Sequence, residues 1–278
     1  MTVGPSEISP IGPETIVITG AAGEIATLII PRLRRPGRTL KLIDIAPIHL
    51  PDQAPDIQVQ AGSVNNLEML TQFMAGARAV VHLAGQSHET DFDDIVRSNI
   101  YGTYCVLEAA RRTGIGRIIL ASSNHAAGFH DISQSGAACL PADIPARPDS
   151  FYGWSKASCE ALAQLYADRY GAAVVSLRIG KCVVRPSSQR ELAIWLSPDD
   201  AARLVEACIS APQSGHRVVW GVSNNTRRFM SLKEGRALGY WPQDNAETHE
   251  SHIAADINLE GIKYPQTGKI GGPWCSTP

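Results

Sequence analysis

The stretch TIVITGAAGEIAT (15–27) decides the fold. Its first five residues are apolar or β-branched, the composition of a buried strand. Glycines at 20 and 23 follow at once, and a helix-forming run begins at Glu24. Gly20 permits a sharp exit from the strand, Gly23 lets the backbone come close to an anion at the helix N-terminus, and Ala26 is small enough for tight helix–strand packing.

The next strand, LKLID (40–44), ends in Asp44, 24 residues after Gly20. A carboxylate there accepts hydrogen bonds from the ribose hydroxyls of a dinucleotide. Strand, glycine turn, helix and distal acid together form a Rossmann-type fingerprint, with Gly20, Gly23, Glu24, Ile25 and Asp44 facing the cofactor. Asp44 repels a 2′-phosphate, and Ile45 and Ala46 offer no compensating arginine, so NAD is expected rather than NADP. A later strand ends HLAG (82–85), placing Leu83, Ala84 and Gly85 beside the cofactor, with His82 read as a packed structural histidine. Arg32, Arg34, Arg35 and Arg38 are read as the solvated end of a helix.

Further strands are expected at IQVQ (57–60), AVVHLA (79–84), RIILAS (117–122), AVVSLRI (173–179) and RVVWG (217–221). Helical patterns lie near 24–35, 65–75, 91–113, 151–170 and 198–210, the last with Ser197 as N-cap and Pro198 in its first turn. This alternation predicts an α/β fold: a Rossmann-like doubly wound parallel sheet with a small C-terminal substrate-binding lobe. The expected division is a flexible tail over 1–14, a cofactor-binding core carrying the catalytic residues over 15–180, and over 181–278 a mixed segment that completes the sheet and forms the lobe.

The 278 residues carry a net charge of −2 with no block of like charge, which argues against nucleic-acid or anionic-membrane partners. There is no run of apolar residues long enough for a membrane span. The start of the chain, MTVGPSEISPIGPE, lacks the basic and apolar parts of a signal peptide. Cysteines at 105, 139, 159, 182, 208 and 275 have no metal-like spacing, so no metal is expected, and scattered thiols fit a cytoplasmic protein.

Two segments carry chemistry. RIILASSNH (117–125) presents Ser123 at a strand end, and FYGWSK (151–156) puts Tyr152 and Lys156 at i and i+4 on one helix face. A phenol, with a reference pKa of ~10, is a weak base at neutral pH, and a neighbouring cation stabilises its phenolate. Tyr152 is therefore expected to take a hydroxyl proton while hydride leaves the same carbon, with Ser123 holding the oxygen in line.

These motifs resemble the extended short-chain dehydrogenases, and in detail the bacterial uronate dehydrogenases. The similar strings are TGAAG, ASSNH, DIPARPDSFYGWSK, RIG-x-C, W-x-S-x-D-D at 195–200, VVWG and DNAE, spread from about 15 to 250. The resemblance implies NAD-dependent oxidation of hexuronates such as glucuronate and galacturonate at C1 to aldarolactones. It implies Tyr152, Lys156 and Ser123 as catalytic; Ser87, Asn124 and His125 at the sugar; Arg190 on the C6 carboxylate; and Ile179 and Asn99 at the cofactor. It also implies association into homo-oligomers.

The chain differs from the family at three places. Gly62-Ser63 stands where Asp-Leu usually borders the adenine, Lys181 replaces a small serine after RIG, and the loop VVRPSSQR (183–190) has its own pattern. Lys181 either points outward as a solvated charge or adds a second cation to the sugar site. Two other functions remain open: a nucleotide-sugar epimerase or dehydratase, whose C-terminal lobe is usually longer, and a non-catalytic cofactor sensor, which typically lacks the Tyr–Lys pair.

Overall fold

The computed structural model describes residues 14–49, 54–133, 139–212, 214–256 and 268–276; the tail expected over 1–14 lies, except for Glu14, outside the described residues. The order is β1 (Glu14–Thr19), α1 (Glu24–Leu33), β2 (Arg38–Asp44), β3 (Ile57–Ala61), α2 (Leu67–Met74), β4 (Ala79–His82), α3 (Phe92–Ile95), a π-helical segment (Val96–Tyr101), α4 (Gly102–Thr113) and β5 (Arg117–Ser123). A 3₁₀ turn (Asn124–Ala127) precedes α5 (Phe151–Tyr170), β6 (Ala173–Ile179), β7 (Lys181–Cys182), α6 (Glu191–Ile194) and β8 (Trp195–Leu196). Then come α7 (Pro198–Ser210), β9 (His216–Gly221), α8 (Lys233–Ala237) and α9 (Glu250–Asp256).

Seven strands form one sheet in the order β3-β2-β1-β4-β5-β6-β9, every adjacent pair parallel. Strand side chains alternate between faces, so Ile16 and Ile18 enter one core with Ile29, Leu33, Leu204 and Cys208 of α1 and α7. Val17 enters the other, against Leu70, Val106 and Ala163 of α2, α4 and α5. This double coverage explains why the strands read as continuous apolar runs. A separate parallel pair, β7 with β8, lies beyond β6. The N-cap of α7 is as expected: Ser197 Oγ accepts from the Asp200 amide at 2.9 Å.

The helix expected over 91–113 is present over 92–113, and its middle, Val96–Tyr101, is widened into a π-segment that carries buried Asn99. Widened turns of this kind often sit beside functional sites, and this one brings Asn99 against the loop after β4. One expectation needs correction in part: Arg32, Arg34 and Arg35 are exposed, as a solvated helix end should be, but Arg38 is not. Arg38 opens β2 with its side chain fully buried, donating to Glu14 Oε1 at 2.6 Å and to Glu206 Oε2 at 2.9 Å. Arg35 also pairs with Glu14, Arg34 holds Asp56 at 2.8 Å, and Arg32 holds Asp199 at 2.7 Å. The chain reverses after Leu33, and acids from β1 and α7 close over the turn; single-sequence periodicity does not reveal those long-range partners.

Among the described residues, no helix is long and apolar enough to cross a membrane.

Candidate active site

The strand order reverses direction between β1 and β4, which is where open α/β sheets bind ligands at their carboxyl ends. A cavity of about 760 Å³ opens there. Its wall takes Gly20, Gly23, Glu24 and Ile25 from the β1–α1 turn, Leu83, Gly85 and Ser87 after β4, and Ser123, Asn124 and His125 after β5. Tyr152 and Lys156 of α5, Ile179 of β6, Lys181 of β7, Arg190, Glu191 and Trp274 also line it. The structure thus brings together residues read from separate motifs. Asp44, Gly62, Ser63, Ala84 and Asn99 lie outside this wall.

The residues at one end fit a dinucleotide. Gly20 has φ +70°, and a Cβ there would lie 2.5 Å from the Ala84 amide nitrogen, so the turn and Ala84 can only meet without a side chain. Gly23 is the N-cap of α1 and no side chain caps the helix, which leaves first-turn N–H groups available to an anion. Asp44 Oδ2 accepts from the Ala22 amide at 2.9 Å and Oδ1 from the Ala46 amide at 2.8 Å. Each oxygen keeps a second acceptor site for a ribose hydroxyl. Gly62 donates its amide to the Asp44 carbonyl at 2.8 Å, which ties the β3 exit to the β2 end. Ser63 Oγ accepts from the Asn65 amide at 3.2 Å.

Asn99 acts from behind the wall. Its Oδ1 accepts from the Gln86 amide at 2.7 Å, and its Nδ2 donates to Ser155 Oγ at 2.8 Å and the Gln86 carbonyl at 3.2 Å. Its side chain is committed inside the protein, where it shapes the Gly85–Gln86 turn. His82 is structural as read, with Nδ1 2.7 Å from Thr19 Oγ1 and Nε2 3.1 Å from Thr103 Oγ1. Burial, reinforced by the Lys156 charge, pushes its pKa down to about 3, so the ring stays neutral.

At the other end, the first turn of α5 is pinned twice. Ser150 Oγ accepts from the Gly153 amide at 2.9 Å, and the Glu89 carboxylate accepts from the Phe151 and Tyr152 amides at 3.0 and 2.8 Å. Tyr152 is thereby held at the cavity, and Lys156 Nζ lies 5.6 Å from its ring centroid while donating to the Ala121 carbonyl at 2.9 Å. The adjacent serines diverge, as strand alternation requires. Ser122 Oγ donates to Glu160 Oε1 at 2.5 Å, in a buried cluster where Arg178 pairs with Glu160 at 2.8 Å. Ser123 Oγ instead accepts from the His125 amide at 3.2 Å, and both serines belong to the cavity lining.

Sequence reading missed Asp149 and Trp274. His125 Nδ1 donates to the fully buried carboxylate of Asp149 at 2.7 Å, which leaves Nε2 as the ring's free nitrogen. Trp274 lines the cavity and stacks on His125 with centroids 4.1 Å apart, and its edge meets Tyr152 at 5.9 Å. Asp149 stood within the PARPD string, three residues before Tyr152, so its signal was present. The GGPW tetrapeptide (271–274) has no local signature that points to a site.

Arg190 reaches the same chamber. Its Nη2 donates to the Ile270 carbonyl, and among the described residues it forms no ion pair. Burial pulls its pKa below the usual arginine value. Its guanidinium is thus largely desolvated at the cavity, with the charges of Asp149 and Glu191 acting on it without a direct ion pair.

The fold and the Tyr–Lys pair define an NAD-dependent dehydrogenase, and the chain belongs to the NAD dependent epimerase/dehydratase family, whose pattern matches residues 16–234. Within it the chain is similar to uronate dehydrogenases. It is 37% identical over 240 residues to the uronate dehydrogenase of Pseudomonas putida, covering 86% of this chain and 88% of that one. The crystal structure of uronate dehydrogenase from Agrobacterium tumefaciens superimposes with a TM-score of 0.86 at 35% identity, covering 95% of this chain and 97% of that one. A mutant of the same enzyme complexed with NAD gives a TM-score of 0.86 at 34% identity, covering 95% and 98%.

Proposed function

We propose that the protein oxidises an aldohexuronic acid of the glucuronate or galacturonate type at C1, yielding the aldarolactone. The observation that carries this reading is one chamber holding both the Tyr152–Lys156 pair and the desolvated guanidinium of Arg190, which forms no ion pair among the described residues. NAD is the cofactor, and when bound it accepts the hydride from C1.

The chain's own residues do the rest. Tyr152 takes the C1 hydroxyl proton, helped by the Lys156 charge, and Ser123 donates a hydrogen bond to the same oxygen. Asn124, His125 and Ser87 hold the remaining hydroxyls. His125 does so with Nε2, because Asp149 occupies Nδ1. Arg190 takes the C6 carboxylate and so sets which carbon lies beside the cofactor. Gly20, Gly23, Glu24, Ile25, Leu83, Gly85 and Ile179 line the cofactor's share of the cavity, with Asp44 reaching the ribose and Gly62 and Ser63 at the adenine end.

In this reading the substrate lobe draws on 181–198 and the described residues of 222–278, supported by Lys181, Arg190 and Trp274 in the cavity wall. The cysteines, all free, support a cytoplasmic setting. The test is cofactor reduction, followed by absorbance, with glucuronate, galacturonate, glucose and a nucleotide sugar. Turnover of the uronates is expected; turnover of the nucleotide sugar alone overturns the proposal in favour of epimerase-type chemistry.

A further inference from the structure

His125 lines the cavity, and behind it lies a carboxylate that meets no solvent. Asp149 Oδ2 accepts from His125 Nδ1 at 2.7 Å, and Oδ1 accepts from Ser150 Oγ at 2.9 Å. Glycines wall it in: a Cβ on either Gly128 or Gly271 would overlap Oδ2. Gly271 also donates its amide to the Gly128 carbonyl at 2.9 Å. The turn after β5, the first turn of α5 and the 268–276 segment thus converge on one side chain.

A buried charge is costly unless it is paired and hydrogen-bonded, and here two groups of the cavity wall feel it. His125 gives Asp149 its Nδ1 proton, so the neutral ring presents an unprotonated Nε2. That nitrogen is an acceptor, which a sugar hydroxyl meets only as a donor. Burial disfavours the Arg190 cation, and the negative charges near it, Asp149 among them, work against that. Asp149 itself does not line the cavity, so whatever it does for a bound sugar passes through its neighbours.

We propose that Asp149 is a positioning residue of the dehydrogenase reaction: it fixes His125 in the Nδ1–H tautomer, so that Nε2 accepts from one sugar hydroxyl and helps seat C1 beside the cofactor. This rests on the uronate reading for the identity of the sugar, whereas the tautomer belongs to the chain alone. Tyr152 remains the base. An asparagine at 149 has the same shape but can turn its amide to donate to Nδ1. The His125 ring then carries its proton on Nε2 and offers a donor where the sugar needs an acceptor.

The experiment uses wild type, Asp149→Asn, His125→Gln and the double variant. Ring-15N-histidine spectra, without cofactor or sugar, locate the proton of the neutral His125 ring, whose signals are those missing in His125→Gln. Expected is Nδ1–H in wild type and Nε2–H in Asp149→Asn. Glucuronate kcat/KM should fall by about tenfold or more in Asp149→Asn, with NAD affinity, read by fluorescence titration, near wild type. In the His125→Gln background the same substitution should cost less than threefold, because the group it acts through is gone. An Nε2–H ring in wild type overturns the inference even if Asp149→Asn does not fold. Losses that multiply in the double variant also overturn it and leave Asp149 as an anchor of three chain segments. Absence of uronate turnover in wild type refutes the uronate function, and the two spectra then decide the role of Asp149 by themselves.

Discussion

Replacing Arg190 with alanine removes the guanidinium that faces the chamber and the hydrogen bond it gives to the Ile270 carbonyl. A uronate differs from the parent aldose by one carboxylate, at the end far from the reacting carbon. A hydrogen bond to a charged group contributes about 1.5–3 kcal/mol net, and each 1.36 kcal/mol is tenfold in rate. Uronate kcat/KM should therefore fall by about tenfold to about a hundredfold. Glucose has no carboxylate to lose, so any turnover of it should change little. The Ile270 contact complicates the reading, because Ile270 belongs to the same segment as Trp274, which stacks on His125. Arg190→Lys separates the effects: it keeps a cation while giving up the bidentate fork, so it should recover part of the uronate rate. The assay is kcat/KM on glucuronate and glucose for wild type and both variants. Equal loss on the two substrates in Arg190→Ala would falsify carboxylate recognition and leave Arg190 as an anchor of the 268–276 segment.

Three further outcomes are expected. Tyr152→Phe keeps the ring packing and loses the proton acceptor, so kcat should fall by roughly 10²–10⁴ while NAD affinity, read by fluorescence titration, stays near wild type; a tenth of the rate surviving would show that another group is the base. NAD should exceed NADP in kcat/KM, because Asp44 sits at the end of β2 while Arg32, Arg34, Arg35 and Arg38 are all bound to carboxylates; parity between cofactors would contradict this. Glu108 is held by Arg111, Arg112 and Tyr166, and these hydrogen bonds, Arg111 first, pull its carboxyl from the ordinary 4.5 down to about 2. The folded pKa is the lower one, so the stabilisation is present above pH 4.5 and is lost as pH falls toward 2. With exposed arginine partners its size is about 1 kcal/mol or less, or about 2–4 °C of Tm. Glu108→Gln should lower Tm at pH 7 by that amount and flatten the acid limb, and parallel Tm–pH curves for both proteins would refute the assignment.

The elements most legible in the sequence were those whose signal is local. TIVIT, LKLID and AVVSLRI are short apolar runs bounded by glycine or polar turns, and each is an interior strand of the sheet, with a neighbour on either side. Tyr152 and Lys156 were readable because helical periodicity alone places i and i+4 on one face. Strand alternation also separates the two serines: Ser122 Oγ turns to Glu160, whereas Ser123 Oγ stays by the 124–125 turn.

What was misread depended on distant partners. Arg38 looked like one more basic residue after a helix, yet Glu14 and Glu206, 24 and 168 positions away, draw it into the interior. Asn99 was expected at the cofactor, and the π-segment instead aims it at Gln86 and Ser155.

By itself the sequence determined the parallel α/β architecture, the glycine turn, the acid at the end of the second strand and the Tyr–Lys pair. Each of these depends on spacings of a few residues or on one βαβ unit, within which backbone geometry is nearly prescribed. Only the tertiary structure decided the far wall of the chamber. Asp149 and His125 are 24 positions apart, and Arg190 and Ile270 are 80 apart. Trp274 meets His125 across a still longer stretch of chain. Contacts of that range arise from loops closing over the sheet's edge, where no periodicity constrains the side chains and packing alone selects which of them face the ligand.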